Sequence, residues 1–233
     1  MTRLRKAVVG AVALAVGLAG GASGAGLRPT PAGAQQVRLD AAKTVATAAI
    51  TRRVLALREL MTATKAIVRL SDADRTALTT QLQGQINGLT SLNAKIQGDT
   101  DVATVRADAG RIITDYHVYV LTIPKARGVV VSDIELNAED RLSKLADRLQ
   151  TMIDQATGKD TKKAKTDLAS LRSKLATVTS AVSPLPAALL ALQPAGYPGN
   201  RATIEQGRTT LRTGRQGLAD SATLARAVIA DLK

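Results

Sequence analysis

Apolar residues recur along most of this chain at intervals of three, four and seven, the spacing of one face of an α-helix. Ile50, Val54, Leu57, Met61 and Val68 mark the buried face of a first helix over Gln35–Leu70, with Arg52, Arg53, Arg58 and Glu59 on its sides. Ser71-Asp72-Ala73-Asp74 supplies short polar side chains that stop this helix and cap the next. Leu78, Leu82, Ile86, Leu89, Leu92 and Ile96 carry a second helix to about Gln97, in which Gly84 and Gly88 suggest close helix packing. Gly98-Asp99-Thr100-Asp101 closes it and caps a third.

The third helix begins near Val102 and turns Val105, Ala109, Ile112, Tyr116 and Tyr119 inward. It enters the run Val118–Ile123, whose β-branched side chains disfavour helix and suit a strand. A lone strand would have no partner, so the helix is expected to continue to about Thr122. Pro124 then ends the element and Lys125–Gly128 forms a turn. A fourth helix starts near Val129, with Val131, Ile134, Ala138, Leu142, Leu145, Leu149, Met152 and Ala156 inward, and breaks at Gly158-Lys159-Asp160. The fifth carries Ala164, Leu168, Leu171, Leu175, Val178 and Val182 as a coiled-coil-like heptad stripe and ends at Pro184 and Pro186. Residues 184–200 are irregular apart from a short helix over Leu185–Leu192. The last helix, Arg201–Leu232, bears Ile204, Leu211, Leu218, Ala225 and Leu232 at sevens beside Gly207 and Gly214. Each such glycine costs roughly 1 kcal/mol against Ala, which backbone contact with a neighbour would offset. The pattern predicts an all-α fold, an elongated antiparallel bundle of about six helices.

The N-terminus reads differently. Arg3, Arg5 and Lys6 precede the uncharged apolar run Ala7–Ala19, and Pro31-Ala32-Gly33-Ala34 ends in an A-x-A pattern. This is the layout of a cleavable export signal over residues 1–34, cut before Gln35 and near Ala34, with the helical domain at 35–233. No Arg-Arg pair is present, which favours the general secretion route. No later apolar run has the length of a transmembrane segment, and the C-terminus carries no wall-sorting signal. The absence of Cys excludes a disulfide framework and a lipoprotein anchor.

Composition alters the picture in two ways. There is no Phe or Trp, so aliphatic side chains and Ala must build the core through many shallow contacts. The net charge is +13, and +9 without Arg3, Arg5, Lys6 and Arg28, which favours anionic surroundings. The expected partners are an anionic cell-wall polymer or lipid headgroups. Nucleic acid is not expected, because the aromatic platforms for stacking are missing and the basic residues are scattered.

Candidate chemistry concentrates in Arg106–Glu135, which holds the single histidine and two of the three tyrosines. One His with Asp115 two residues before it does not form a metal-ligand pattern, and no metal or cofactor is expected. No nucleophile elbow and no phosphate loop occur. Asp108, Arg111 and Asp115 at i, i+3 and i+7 predict an ion-pair cluster and no acid–base pair. The candidate ligand or partner surface is Asp115, Tyr116, His117, Tyr119 and Lys125, with Arg201, Arg208, Arg212 and Arg215 along one face of the last helix.

Three segments carry a resemblance: Ile113-Thr114-Asp115-Tyr116-His117-Val118-Tyr119-Val120-Leu121 with Pro124-Lys125, SDADRTAL at 71–78, and LQPAGYPGNRA at 192–202. Together they resemble a group of exported actinobacterial proteins of unknown function. The resemblance implies a helical fold and an envelope or extracellular location, and no chemistry. The expectation is therefore a secreted or envelope-associated protein with a structural or interaction role and no catalysis. The alternative is a binding module for an apolar small molecule, a lipid or an anionic wall polymer, with a groove near Asp115–Ile123.

Overall fold

The computed structural model describes residues 31–157 and 160–232. The basic and apolar parts of the expected export signal, and Gly158 and Lys159 of the expected break, lie outside the described residues. The described residues fold into seven α-helices: α1 (Pro31–Ala66), α2 (Asp72–Gly98), α3 (Val102–Thr114), α4 (Ile123–Gln155), α5 (Lys162–Val182), α6 (Leu185–Leu190) and α7 (Arg201–Asp231). A π-turn over Val118–Thr122 precedes α4, and a 3₁₀ turn over Pro194–Gly196 precedes α7. There is no strand among the described residues, and the antiparallel all-α bundle is as the pattern predicts.

Side-chain pairings fix the topology. In α1, the Thr47 hydroxyl donates to Asn93 Oδ1 of α2 at 2.9 Å and accepts from the Gln97 amide at 2.8 Å. Lys95 of α2 reaches Asp108 of α3, and Gly88 of α2 meets the ring of Tyr116 just past α3. Thus α2 runs opposite to both neighbours, and α1 and α3 lie parallel. The second half repeats this arrangement. Lys163–Asp231 at 2.8 Å and Lys174–Asp220 at 3.3 Å set α5 against α7, and Arg172–Asp147 at 3.2 Å sets it against α4. Again the outer two helices, α4 and α7, are parallel.

The aliphatic core divides into three zones. One lies between α1, α2 and α3 around Leu57, Leu89 and Ile96. A middle zone gathers Leu121, Val129, Val182 and Leu189 at the level of α6. The third holds Leu149, Leu171 and Val228 at the far end of α4, α5 and α7. All six positions expected to be inward on α5 are buried. On the second half of α4 the buried face is Ala146, Leu149 and Ile153. Met152, expected inward, is 47% exposed, because it sits one residue, about 100°, off that stripe.

Two helix ends depart from expectation. Helix α1 stops at Ala66, short of Leu70, and Val68, no longer on a helical face, is 93% exposed. Arg75 makes this end. Its guanidinium donates to the carbonyls of Thr64, Lys65, Ile67 and Leu70 at 2.8–3.1 Å, satisfying acceptors that a helix terminus leaves open. The expected caps are present: Ser71 Oγ accepts from Asp74 N–H at 3.1 Å, and Asp101 Oδ1 from Thr104 N–H at 2.9 Å.

The larger correction is at the joint between halves. Helix α3 ends at Thr114 and does not reach Thr122. His117 takes the left-handed conformation, φ 43° and ψ 38°, which is uncommon for a residue with a Cβ. Its carbonyl then accepts from both Leu121 N–H at 2.8 Å and Thr122 N–H at 3.3 Å. Pro124 lies in the first turn of α4 and terminates nothing. Ile123 before it keeps helical angles, φ −66° and ψ −48°. Lys125–Gly128, expected as a turn, is therefore helix.

Candidate functional site

The parallel pair α4 and α7 leaves a groove of about 350 Å³ along its outer side. Its floor is apolar: Pro124, Val131, Leu189, Ile204 and Leu211. Leu189 is seated between two glycines. A Cβ on Gly128 would lie 2.6 Å from Leu189 Cδ1, and one on Gly207 would lie 3.5 Å from Cδ2. The glycine stripe of α7 thus admits close neighbours. A Cβ on Gly214 would lie 3.0 Å from Val182 Cγ2 and 2.7 Å from Glu135 Oε2.

Four arginines line this groove: Arg127 from α4, and Arg208, Arg212 and Arg215 from α7. The last three stand at i, i+4 and i+7, one face of a helix. Arg208 bonds Glu205 on its own helix at 2.8 Å. Arg127 and Arg212 have no carboxylate within 4 Å among the described residues. Arg215 Nε lies 3.7 Å from Glu135 Oε1. Glu135 is buried between α4 and α7, and neither of its oxygens accepts a hydrogen bond. Burial pushes its carboxyl up to about 7, against the pull of the Arg215 charge.

Lys125, expected in a surface turn, is buried in the first turns of α4. Its ammonium donates to Gln81 Oε1 of α2 at 2.6 Å and to the Leu192 carbonyl just past α6 at 2.9 Å. Gln81 in turn donates to the Leu190 carbonyl at 3.1 Å. This node ties three elements, and with no carboxylate beside it burial lowers the Lys125 pKa to about 8. Asp133, two residues before Glu135, accepts the Ser71 N–H at 2.6 Å and holds the start of α2. Burial raises its pKa, opposed by that bond.

The remaining sequence candidates form no single face. Tyr116 packs half-buried on Gly88, and burial, then the Asp115 charge, raises its pKa. His117 stacks at 4.4 Å on Tyr197, and its buried Nδ1 has no hydrogen-bond partner. Tyr119, expected inward, is 50% exposed, with the Arg53 guanidinium 5.3 Å from its ring centroid. The left-handed turn at His117 rotates it away from the Tyr116 stripe. Asp115 pairs with Arg111 at 2.9 Å, and Arg111 also reaches Asp108 at 3.6 Å, the ion-pair cluster predicted from spacing. Hydrogen bonding from Lys95, foremost, holds Asp108 below the usual carboxylate range. Arg201 is exposed at the start of α7 and does not line the groove.

Of the residues proposed from sequence, Arg208, Arg212 and Arg215 come together in the groove, and Arg127 and Glu135 join them unforeseen. Among the described residues no group of three or more His, Asp or Glu side chains could hold a metal ion, and no helix is long and apolar enough to cross a membrane. No protein family, curated protein or solved structure matches this chain.

Proposed function

We propose that this chain is a non-catalytic interaction protein of the cell envelope or its exterior, engaging anionic groups of a wall polymer or of lipid headgroups through the α4–α7 groove. The observation that carries the reading is four arginines around an apolar floor, two of them without an acidic partner among the described residues. Guanidinium groups bind phosphate and carboxylate in a fixed fork geometry. The net charge, +9 once Arg3, Arg5, Lys6 and Arg28 leave with the export signal, adds long-range attraction to any such surface. The export-signal pattern of residues 1–34 supports the location.

Co-sedimentation tests this. The protein should bind vesicles rich in anionic phospholipid, or an immobilised phosphate-bearing wall polymer, and be released by salt. Zwitterionic vesicles should retain little. The double variant Arg127→Gln/Arg212→Gln should lower retention on anionic surfaces. Equal retention on zwitterionic vesicles, or a silent double variant, refutes the reading.

A further inference from the structure

The α4–α7 groove ends beside a buried carboxylate. Glu135 stands one turn beyond Val131 of the floor, and Gly214 stands next to Arg215 of the rim. The missing side chain of Gly214 makes room for it: a Cβ there would lie 2.7 Å from Glu135 Oε2. Glu135 is 4% exposed, and neither oxygen accepts a hydrogen bond. Buried carboxylates are ordinarily bonded or paired. This one has a single cation, Arg215, whose Nε lies 3.7 Å from Oε1, inside ion-pair range and outside hydrogen-bond range. Arg215 keeps 71% of its side chain in solvent. It therefore stands between two claims, the rim of the groove and the Glu135 carboxyl.

Among the described residues no other charged side chain pairs with Glu135. On α7, Arg208 and Arg212 line the groove and Asp220 is engaged by Lys174 at 3.3 Å. On α5, whose Val182 packs beside Gly214, residues 175–183 contain no titratable side chain, and neither does α6. At the end of α1, Lys65 and Arg69 are exposed. On α4 itself, Arg127 lines the groove, Asp133 accepts the Ser71 N–H at 2.6 Å, and Glu139 accepts the Ser143 hydroxyl at 2.7 Å. Asp74 of α2 faces Asp133.

We propose that Glu135 and Arg215 form a proton-operated gate on anion binding by the α4–α7 groove. The gate rests on the reading of that groove as an anion site. With the carboxyl protonated, Arg215 is free to turn its guanidinium to the ligand beside Arg127 and Arg212. With the carboxylate ionised, its buried charge draws Arg215 inward to the hydrogen-bond distance that it lacks. The groove then loses one guanidinium and gains a negative charge at its end. Burial, which pushes this carboxyl up to about 7, sets the exchange between mildly acid and mildly alkaline conditions. Acid thus favours the ligand, and by linkage a bound anion favours the proton.

Vesicles of phosphatidylglycerol in phosphatidylcholine test the gate, since the phosphodiester keeps its charge throughout this window. The full chain should bind them about fivefold more tightly at pH 5.5 than at pH 8, the order expected of one charge roughly 10 Å away between the protein and water dielectrics. Glu135→Gln has no proton to lose and should bind equally at the two values. Arg215→Gln should bind more weakly than the parent at pH 5.5 and show under half of its fall, because ionised Glu135 then has no cation to withdraw. His117→Gln should keep the parent's fall. Should Glu135→Gln not fold, the parent chain decides alone: calorimetry at pH 7 in two buffers of unlike protonation enthalpy should show uptake of a fraction of a proton on binding. Equal affinity of the parent at pH 5.5 and pH 8 overturns the gate and leaves the groove standing as an anion site. So does a fall that persists in Glu135→Gln or vanishes in His117→Gln, and so does proton release on binding. Binding at neither pH removes groove and gate together.

Discussion

Glu135 gives the sharpest test of the structure. Its carboxyl is buried against the backbone of Gly214, accepts no hydrogen bond, and has only Arg215 at 3.7 Å to offset its charge. Burial lifts its folded-state pKa from 4.5 to about 7. Between these values the folded chain keeps a proton that the unfolded chain has lost, so stability falls as pH rises through this window. At about 1.4 kcal/mol per pKa unit, the fall attributable to Glu135 between pH 5 and pH 8 is about 2.5 kcal/mol. Glu135→Gln keeps the shape and removes the titration. Its amide, buried without partners, costs about 1–3 kcal/mol at every pH. The variant is thus expected to be less stable than the parent chain at pH 5 and to gain on it by about 2.5 kcal/mol by pH 8. Urea unfolding followed by far-ultraviolet circular dichroism at several pH values reads this directly. The companion variant Arg215→Gln removes the attraction that favours the carboxylate, and should steepen the parent's fall. A gap between Glu135→Gln and parent that stays constant with pH, or moves the other way, refutes the account of Glu135.

Two glycines one helical turn apart should respond with opposite sign. Gly84→Ala meets nothing within 4 Å and should stabilise by about 1 kcal/mol through helix propensity, whereas Gly88→Ala meets Tyr116 Oη at 2.7 Å and Cε1 at 2.9 Å and should cost about 1–3 kcal/mol; thermal melts of both decide it. Arg75→Met removes four hydrogen bonds at the end of α1, leaving the Lys65 and Leu70 carbonyls without that donor while Thr64 and Ile67 keep a long backbone bond, and should cost about 2–3 kcal/mol, with faster amide exchange over the last turn of α1. Lys125 titrates near 8 when folded against 10.5 when unfolded, so from pH 8 to pH 10.5 the unfolded chain binds the extra proton and stability rises with pH. Lys125→Met should lose that rise, and denaturation curves at pH 8 and pH 10 with equal spacing between variant and parent would contradict it.

The repetitive parts of the fold were legible because a helix buries one stripe and its stripe is visible as spacing. The six aliphatic positions of α5, and the caps at Ser71 and Asp101, follow from that rule. The joint was not legible, because local rules there conflict. Pro124 disfavours helix before it, yet Ile123 is helical, since α2 holds this segment through Gln85–Thr122 and Gln81–Lys125, and Lys125 also donates to the Leu192 carbonyl just past α6. Once the chain turns left-handed at His117, Tyr119 no longer shares a stripe with Tyr116, which spacing alone could not reveal. Spacing also assigns charged residues to solvent. Lys125, Asp133 and Glu135 violate that assignment because the first half of α4 is enclosed by α2, α6 and α7 together. Half of the groove was readable, as the arginine stripe of α7, and its α4 wall was hidden behind the misplaced start of that helix.

The π-turn carries one residue more per turn than the α-helix it leads into. Removing one residue from Val118–Thr122 would return this turn to ordinary α-helix and leave the faces of α4 aimed as they are, because a π-turn closes over five residues where an α-turn closes over four. The same deletion inside α4 would re-aim every side chain beyond it by about 100°. The surplus residue is thus stored at the joint, and the stretch between His117 and Pro124 can lose one position without turning the arginine groove.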